Sequence, residues 1–433
     1  MNKSLYIVAF SLAFATTGIA QNNEGQDKTV DLGTQTTTEL RKTQAVSTIY
    51  SDELDKNATT SPYNAIYGLL PGLTVMQNTS WGTDKSRLNV RGRGSLNGDT
   101  PLFVVDGFAR PIEYINLSEI ESISVLKDGA ATALWGGRGA NGVVLITTKR
   151  GMYSKKEIKV DYKFGLGLPV NQPEFADAYT YAKARNEALR YDGLQPDMDE
   201  ASFLAGGNSD LYPNVDWQKE ALRNHTTSHQ LDITFRGGGK RLRYFSVLNY
   251  KNDMGLLNSK YTDYTDRYNS QMKKYFLNLR MNLDVDITDA TKLKLNMLGM
   301  LRETKRPTTS EATLFEQIFN TPSAAFPVQT QNGLWGSNNV LKTNPIANLA
   351  DVGYYKLNQR MLQADLRLIQ DLSVLTRGLS AELAIAYDNN ATYQETAKKS
   401  FMYQTIEKGT DGEPVYTNYG NPNDELEISN KGL

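Results

Sequence analysis

A strict alternation of apolar and polar side chains constrains the fold of this chain more than any other feature. The alternation holds for twelve residues, in the order Leu277, Asn278, Leu279, Arg280, Met281, Asn282, Leu283, Asp284, Val285, Asp286, Ile287 and Thr288. Successive side chains of a β-strand point to opposite faces of its sheet. The segment is therefore predicted to be a strand with one apolar and one polar face. Such a strand needs an apolar environment on one side and an aqueous environment on the other.

The same period recurs through the rest of the C-terminal region. Apolar residues occupy every second position at 231–235, 293–297, 362–368 and 383–387, and residues 243–249 follow the pattern less regularly. A tight turn is predicted at 288–291, whereas long polar segments at 169–224 and 304–357 predict long loops. Short turns on one side and long loops on the other are typical of outer-membrane β-barrels. A soluble β-sandwich shows the same alternation but rarely carries loops of over about 50 residues.

Composition excludes several classes of function. The 433 residues carry 47 basic and 48 acidic side chains, so no basic excess points to nucleic acid. No apolar run approaches the roughly 20 residues of a transmembrane helix, and the mean hydropathy is -0.48. Barrel strands also have low mean hydropathy, because lipid-facing and lumen-facing residues alternate. The absence of cysteine excludes disulfides, thiolate chemistry and a lipid anchor on an N-terminal cysteine.

The first 20 residues are predicted to be a secretory signal peptide. Lys3 supplies the positive end, residues 5–15 form a short apolar core, and Gly18 and Ala20 are the small residues of a cleavage site before Gln21. The alternative, a membrane-anchor helix, needs a longer apolar run. Residues 21–45 are polar and are predicted to be flexible in the mature protein. Within them, Thr29, Val30, Asp31, Leu32 and Gly33 form a small β-prone island.

A glycine-rich α/β unit is predicted between residues 88 and 151. Strands are predicted at 102–105, ending in the turn Asp106-Gly107, and at 120–126 and 143–149. A short helical turn at 130–134 is stopped by Gly136 and Gly137. Upstream, a helix is predicted at 62–70, with Ser61 as its cap, followed by a strand at 73–77. This helix and strand complete the unit.

Several sequence blocks follow one another in this region: Val90-Arg91-Gly92, Pro101 to Gly107 (PLFVVDG), Ile120 to Ile123 (IESI), Val125 to Asp128 (VLKD) and Gly139 to Val143 (GANGV). Together they resemble the plug domain of TonB-dependent outer-membrane transporters of the SusC/RagA type, over about residues 46–151. Trp135 and Gly137 depart from the usual pattern, and both fit a packed turn. The motif positions are Arg91, Gly92, Arg93, Asp106, Gly107, Lys127, Asp128, Gly136, Arg138, Gly139, Asn141 and Gly142.

The resemblance implies a fold class and a domain order. It implies an α+β plug domain at 46–152, followed at 153–433 by the N-terminal part of an antiparallel transmembrane β-barrel. It places a TonB box, an extended peptide that adds a strand to a partner's sheet, at Thr29 to Gly33; an ordinary linker is the alternative. Many proteins of this type carry a small β-sandwich before the plug, and this chain has no room for one.

The resemblance also implies a function. It implies TonB-dependent import of an oligosaccharide or peptide across the outer membrane, with the plug gating the barrel. The expected partners are the TonB complex, a SusD-like surface lipoprotein, outer-membrane lipid and the glycan or peptide substrate, with no nucleic acid. No cofactor, metal or catalytic residue is expected, because no acid, base and nucleophile stand at a readable spacing.

Length limits the barrel. A barrel that holds a plug needs about 22 strands, whereas residues 153–433 contain six or seven convincing strands. The sheet is therefore expected to be incomplete, and a truncated, non-transporting chain whose plug only binds periplasmic partners is the alternative function. A smaller barrel closed by about eight to ten strands is a rival, although its lumen is already filled by side chains.

Five further patterns each have a structural and a functional interpretation. The glycines at 137, 139 and 142 match a dinucleotide fingerprint, but they precede a strand rather than open a helix. His225 and His229 stand four residues apart without the glutamate of a zinc protease.

Arg91 and Arg93 are either solvated loop charges or clamps that bind carboxylates of the barrel wall. Turn capping, or an ion pair with Arg91, Arg93 or Arg138, is the default for Asp106 and Asp128. The 24 tyrosines fit either an interfacial girdle or a sugar-binding loop.

Overall fold

The structure is a computed structural model with two parts: an N-terminal α/β domain and a large antiparallel sheet with folded loops. It describes residues 10–12, 29–33, 36–38, 41–56, 59, 61–77, 86–94, 98–153, 156–170, 172–421 and 424–432. No helix in these described ranges combines the length and apolar character needed to cross a membrane.

The elements of the N-terminal region are short. In chain order they are β1 (Phe10–Leu12), β2 (Thr29–Asp31), β3 (Thr36–Thr38), β4 (Val46–Tyr50), α1 (Ser51–Leu54), α2 (Pro62–Ala65), β5 (Leu73–Met76), β6 (Arg87–Val90), β7 (Leu102–Val105), β8 (Phe108–Ala109), β9 (Ile120–Leu126), α3 (Gly129–Thr132) and β10 (Val143–Thr148). Single 3-10 helices lie at Ile112–Tyr114, Leu117–Glu119 and Ala133–Gly139. The predicted strands at 102–105, 120–126 and 143–149 are confirmed.

The core of the N-terminal domain is a five-stranded sheet in the order β4-β9-β10-β7-β8, in which β10 and β7 are parallel. Both faces of the central strands are buried. On β10, Val144 and Ile146 pack into the main apolar cluster, with Leu54, Ile66 and Leu88 among its members. The alternate residues of β10 face a second cluster on the opposite side of the sheet. Apolar residues at successive positions of β10 follow from this two-sided burial.

Two glycines are required by the backbone of this domain. Asp106 and Gly107 both have positive φ, at 47° and 89°, and form the two-residue turn between β7 and β8. Such a turn favours Asp-Gly, because both central residues are left-handed. Gly142 has φ 87°, and a Cβ placed there would lie 2.8 Å from the Val90 side chain. Gly142 thus serves both a left-handed backbone and a close approach.

The helix predicted at 62–70 is wrong in length. Only Pro62–Ala65 is α-helical, and the Ser61 side chain makes no capping hydrogen bond to it. The chain then continues as turns to the Pro71-Gly72 pair, because Gly68 adopts a left-handed backbone, with φ 73°, that ends the helix. The short helical turn predicted at 130–134 is confirmed in kind. It spans Gly129–Thr132, continues as a 3-10 helix, and breaks at Gly136, where φ is 52°.

The segment at 29–33 differs from the flexible chain that its polar surroundings predict. β2 and β3 form a small antiparallel hairpin. Val30 and Leu32 are buried in the second cluster of the N-terminal domain, against residues such as Val143, Leu145 and Trp135. Two apolar side chains, alternating with Asp31, are enough to dock a segment whose composition is otherwise polar.

The large sheet has nine strands in the order β1-β11-β12-β13-β14-β15-β17-β18-β21, and its neighbours are antiparallel. After the N-terminal domain the strands, in chain order, are β11 (Glu157–Gly167), β12 (Thr226–Gly238), β13 (Leu242–Met254), β14 (Lys273–Asp286), β15 (Thr291–Pro307), β16 (Trp335–Ser337), β17 (Gly353–Asp371), β18 (Ser380–Lys398), β19 (Tyr403–Lys408), β20 (Pro414–Tyr419) and β21 (Glu427–Gly432). Of these, β16, β19 and β20 lie outside the large sheet. β1 lies within the predicted signal peptide and pairs with the β11 edge.

Connections alternate between short and long, as the sequence predicts. The turns at 239–241, 287–290 and 372–379 lie at one end of the sheet, and the long segments 168–225, 255–272, 308–352 and 399–426 lie at the other. The predicted loop bounds need one correction. Residues 304–307 and 353–357 belong to β15 and β17, which extend beyond their apolar stretches.

The long connections fold into a loop cap, defined here as residues 172–225, 255–272, 308–352 and 399–421. Its helices are α4 (Ala178–Tyr191), α5 (Glu200–Ala205), α6 (Trp217–Ala221), α7 (Ser259–Thr262), α8 (Glu311–Asn320) and α9 (Pro345–Ala350). β16, β19 and β20 form a small sheet. A separate apolar core, with Trp217, Phe326 and Trp335 at its centre, holds these elements together. The loops are therefore a folded layer rather than irregular chain.

The two faces of the large sheet have inverted polarity for a protein in water. On β14 the apolar Leu279 is 47% exposed, whereas Asn278 beside it is fully buried. The polar face packs on the N-terminal domain, and the apolar face is open. The apolar residues from Leu277 to Val285 span about 27 Å along the strand, or about 21 Å at a tilt of about 40°, close to the ~25 Å apolar band of outer-membrane barrels.

In the described residues the sheet does not close on itself: β21 is one edge, and β1 on β11 is the other. The incomplete barrel predicted from length is confirmed, and the small closed barrel of eight to ten strands is not what these strands form. The α+β plug followed by part of an antiparallel barrel is likewise the observed fold class.

The close approach at Gly142 leads to a stability prediction. Gly142→Ala and Gly92→Ala both place a side chain at φ near 86°, which costs about 1–2 kcal/mol. Only Gly142→Ala adds an overlap with Val90, since nothing lies within 4 Å of a Cβ at Gly92. We expect Gly142→Ala to lower the thermal unfolding midpoint of the detergent-purified protein more than Gly92→Ala. Equal losses would contradict the role assigned to the contact.

Candidate functional site

The candidate site is the interface between the N-terminal domain and the polar face of the large sheet. Arg110, directly after β8, lies at its centre. Its Nη1 donates to Asp365 on β17 at 2.5 Å, and its Nη2 and Nε donate to Asp388 on β18 at 2.8 and 3.1 Å. Asn296 on β15 donates to the second oxygen of Asp365 at 2.6 Å. One guanidinium thus joins the N-terminal domain to β17 and β18, and Asp365 extends the contact to β15.

A second buried ion pair has the opposite arrangement of charge. Glu119 belongs to the N-terminal domain and is fully buried, and it accepts from Arg280 Nε on β14 at 2.5 Å. Its other oxygen accepts from Asn278 at 2.6 Å. The same carboxylate caps the 3-10 helix at Leu117–Glu119 by accepting from the Asn116 N–H. The hydrogen bond from Asn116 therefore holds the Glu119 carboxylate in the position from which it contacts the sheet.

Amides extend the interface along the strands. Asp232 on β12 accepts from Asn116 of the N-terminal domain at 3.3 Å and from Asn249 on β13 at 2.8 Å. Asn249 also donates to Ser118 at 2.9 Å. These contacts place the loop at 116–118 directly on β12 and β13.

The end of β10 is held in the same way. Asn282 on β14 donates to Thr148 Oγ1 and to the Lys149 carbonyl, both at 2.8 Å. Thr148 in turn donates from its N–H and its hydroxyl to Asp106. Hydrogen bonds through Thr148 therefore connect the polar face of β14 to the turn at Asp106.

Arginines of the sheet bind backbone carbonyls of the N-terminal domain. Arg367 donates to the Asp106 carbonyl at 2.7 Å, and a Cβ at Gly107 would overlap this guanidinium. Arg302 donates to the Glu113 carbonyl at 2.6 Å and stacks its guanidinium over the Tyr114 ring. Gly107 is thus needed both for the turn and for the approach of Arg367.

The asparagine side chains at this interface donate hydrogen bonds through their amide nitrogens. The side-chain oxygens of Asn249, Asn278, Asn282 and Asn296 are buried and accept no hydrogen bond from the described protein residues. Leaving a buried acceptor unsatisfied costs about 1–3 kcal/mol. The two ion pairs supply the strongest direct contacts of this interface.

Among the motif residues, Lys127 and Asp128 hold the chain that enters β4. Asp128 accepts from the N–H groups of Ala45 and Ala131, which caps α3 and lowers the pKa of the Asp128 carboxyl. Lys127 Nζ donates to Ser47 at 2.6 Å. Desolvation, helped by nearby Arg91 and Lys42, lowers the pKa of Lys127. Asp128 thus caps a helix, as the default for it predicted, whereas the Asp106 carboxylate accepts from Thr148 on β10 rather than from its own turn.

Arg91 and Arg93 do not provide the clamp considered for them. Arg93 pairs with Asp99 of its own domain at 3.3 Å. Arg91 has a left-handed backbone, with φ 58°, and in the described ranges no ion pair joins it to the sheet. The clamp exists, but Arg110 and Glu119 provide it. Sequence reasoning missed them because neither lies in a glycine-rich block, although Arg280 on the polar face of β14 was a visible signal.

The remaining motif residues shape the domain. Asn141 donates to the Gly98 carbonyl at 3.2 Å, and Gly139 packs closely on Thr132. Arg138 lines an open concavity of about 590 Å³ that also includes Arg87 and Arg110. Gly136 and Gly92 have positive φ with open space around them.

The other sequence candidates lie apart from this interface. The glycines at 137, 139 and 142 span the 3-10 stretch before β10, so they open no helix. His229 lies on β12, where its Nδ1 is 2.7 Å from the Tyr162 hydroxyl, and His225 precedes the strand. Across the part of the chain that the structure describes, no three His, Asp or Glu side chains gather as a metal site.

The β-prone island at 29–33 lies on the far side of β10 from the large sheet. Asp31 accepts from the Thr147 hydroxyl at 3.0 Å and from the Gly33 N–H at 2.7 Å. A Cβ at Gly33 would lie 3.3 Å from the Trp135 ring. Thr147 neighbours Thr148, which contacts Asn282. The island and the interface with the sheet are therefore linked through the last residues of β10.

A prediction concerns Arg110. Arg110→Gln leaves Asp365 and Asp388 without their cation, and breaking a buried pair by removing one partner costs about 3–5 kcal/mol. We expect the N-terminal domain to detach more often, so that limited proteolysis of the purified protein cleaves it more than tenfold faster. Arg93→Gln, which breaks only a pair within the domain, should change the rate little. Equal cleavage rates for both variants would contradict the anchoring role of Arg110.

Comparisons with known proteins agree with this geometry. A family model described as "TonB-dependent Receptor Plug Domain" matches residues 38–143. The chain is 30% identical over 255 residues to "TonB-dependent receptor SusC" of Bacteroides thetaiotaomicron, covering 55% of this chain and 24% of that protein. It is 28% identical over 281 residues to "TonB-dependent receptor P26" of Formosa agariphila, covering 63% and 26%. The chain thus spans about a quarter of these curated relatives.

A solved structure has the same fold. The RagAB peptide importer in its "open-open" state superposes with a TM-score of 0.69 and 21% identity, covering 86% of this chain and 43% of that one. The N-terminal domain is therefore a plug domain, and the large sheet is part of a barrel wall of the kind that surrounds such a domain.

Proposed function

Because the chain belongs to the TonB-dependent receptors of the SusC/RagA type, we propose that it takes part in the active import of a nutrient across the outer membrane. The plug gates the path along the polar face of the wall. The pairing of Arg110 with the buried Asp365 and the partly exposed Asp388 is the observation that carries this proposal. It fixes the plug against a wall whose other face is apolar, which is the arrangement that a gated pore in lipid needs.

The segment Thr29, Val30, Asp31, Leu32 and Gly33 is the proposed TonB box. A strand-adding peptide must expose its backbone N–H and C=O groups to the partner's sheet. Within the described ranges β2 pairs with β3 alone, and the segment rests on two buried side chains, Val30 and Leu32. Release of this hairpin by the TonB complex would pull first on Thr147 and then on the contact between Thr148 and Asn282.

The loop cap is the proposed face for substrate and for a SusD-like surface lipoprotein. It carries a cavity of about 280 Å³ lined by aromatic, acidic and basic side chains, including Phe203, Asp199, Tyr212 and Lys408. Aromatic faces and charged groups of this kind suit either an oligosaccharide or a peptide. The proposed substrate class is one of these two.

The proposed route to the membrane is secretion with removal of residues 1–20. Cleavage before Gln21 removes β1 and leaves β11 as a free sheet edge. A free edge exposes unpaired backbone groups, which lipid does not tolerate, so β11 is the edge at which a complete wall would close. The proposed role needs no catalytic residue and no cofactor.

Uptake measurements test this function. Val30→Pro removes the backbone donor at the centre of the proposed TonB box, whereas Val30→Ala keeps it and loses the same buried side chain. We expect cells with Val30→Pro to lose energy-dependent uptake of labelled oligosaccharides or peptides, and cells with Val30→Ala to retain most of it. The protein should fractionate with the outer membrane in both cases.

Two outcomes would contradict the proposal. Equal uptake by the two variants would contradict the proposal that residues 29–33 are the TonB box. A chain that is absent from the outer membrane, and whose presence leaves uptake unchanged, would favour the alternative of a non-transporting protein that binds periplasmic partners.

A further inference from the structure

The outward face of the sheet is ordered in rows that differ in chemistry. In register, and moving toward the loop cap, the rows are Leu279-Gly299-Leu362-Asn389, then Leu277-Leu301-Arg360-Ala391, then Tyr275-Glu303-Asn358-Tyr393, then Lys273-Lys305-Lys356-Glu395. Apolar side chains are followed by tyrosines and then by lysines. Aromatic residues mark the membrane–water boundary in barrels, so the lysine row lies at the level of lipid headgroups.

Gly299 opens a groove in the apolar part of this face. It stands between Leu279 and Leu362 on the flanking strands, and nothing lies within 4 Å of a Cβ placed on it. The groove has a volume of about 400 Å³, and its walls include Leu277 and Leu301. The missing side chain leaves a mainly apolar groove between the leucines of the flanking strands, and Asn389 is its one uncharged polar lining residue among those described.

The only charged side chain that lines this groove, among the described residues, is Arg360 at its upper end. Arg360 faces Leu301 across the strand pair, one row above Gly299. It is exposed, and its guanidinium can extend along the apolar surface toward the boundary. The groove therefore combines an apolar floor with a cationic end.

The lysine row adds more positive charge above Arg360. Lys273 is the register partner of Lys305, and Lys305 is the register partner of Lys356. Like charges directly opposite one another destabilise a sheet. Glu303 pairs with Lys356 at 3.1 Å, and Lys305 lies over the Tyr354 ring.

The carboxylates near this row do not balance it. Glu395 is the register partner of Lys356, and its Oε1 accepts from the Tyr354 hydroxyl at 2.6 Å. Four basic side chains, counting Arg360, thus face two carboxylates, Glu303 and Glu395. The excess of cations favours an anionic partner at this level.

We propose that this surface binds a phosphorylated lipid of the outer leaflet, of the lipid A type. One acyl chain lies in the groove at Gly299, and the phosphates lie between Arg360 and the lysine row. Arg360 and Lys356 are four residues apart on β17, which is about 13 Å along the strand, so a headgroup with more than one phosphate can contact both. The inference rests on the proposed function, because it takes the apolar face to be in the outer membrane.

A lipid-retention measurement tests the site. The protein is purified from outer membranes in a mild detergent, and bound lipid A per protein is measured by native mass spectrometry and by titration with purified diphosphoryl lipid A. Gly299→Leu fills the groove, and Arg360→Gln and Lys305→Gln remove headgroup contacts. We expect Gly299→Leu and Arg360→Gln each to lower retained lipid A at least fivefold, and Lys305→Gln to lower it less.

Two controls match these changes on the same sheet. Ala381→Leu adds bulk to the outward face at the opposite end of the strands, and Arg377→Gln removes an exposed positive charge from the turn there. Both should retain lipid A at the level of the unaltered protein. Dephosphorylated lipid A and phosphatidylcholine, added to the unaltered protein, should bind several-fold more weakly than diphosphoryl lipid A.

The outcomes separate this inference from the function on which it rests. If the protein lies in the outer membrane and all variants retain lipid A equally, the lipid site is wrong and the proposed function stands. Equal binding of phosphorylated and uncharged lipids would also overturn it, since it would indicate a general apolar surface. If the unaltered protein is not in the outer membrane, both the function and the site are wrong.

Discussion

The structure depends on the burial of a polar sheet face against the plug. In water a sheet hides its apolar face, whereas here Asn278 and Arg280 are buried and Leu279 is exposed. Such a sheet is stable only if its polar face has matching donors and acceptors and its apolar face has lipid. The plug supplies the first condition, chiefly through Arg110 and Glu119. The twelve-residue alternation, the open apolar face and the interface between plug and wall are thus consequences of one requirement.

The interface combines a few strong contacts with many weak ones. The Arg110–Asp365 and Glu119–Arg280 pairs are buried, whereas the four asparagine oxygens accept nothing from the described residues. The amides position the plug along the strands, and the ion pairs fix it at two points. The link from the segment at 29–33 through β10 to Asn282 gives a mechanical path by which a pull on the N-terminus can reach these contacts.

Sequence alone predicted much of the fold but little of the interface. The period of two located β12, β14, β15, β17 and β18, and the glycine-rich blocks located the plug strands, since both signals are local. The Arg110 pairs were not predictable, because Asp365 and Asp388 lie over 250 residues away and no local pattern links them. The docking of Val30 and Leu32 escaped prediction because a polar composition hides two alternating apolar residues. The helix expected at 62–70 is shortened because Gly68, at φ 73°, adopts the left-handed backbone that ends helices.

Disulfide trapping of plug against wall tests the central claim most directly, since the chain has no cysteine of its own. Ser118 lies on the plug, and its hydroxyl is 2.9 Å from the Asn249 amide on the inward face of β13. A protein carrying both Ser118→Cys and Asn249→Cys is expected to form the crosslink under mild oxidation in outer membranes. The control carries Ser118→Cys with Leu248→Cys, whose side chain is exposed on the outward face, and should not crosslink. Crosslinking of the control pair, or of neither pair, would contradict a plug docked on the polar face of this wall.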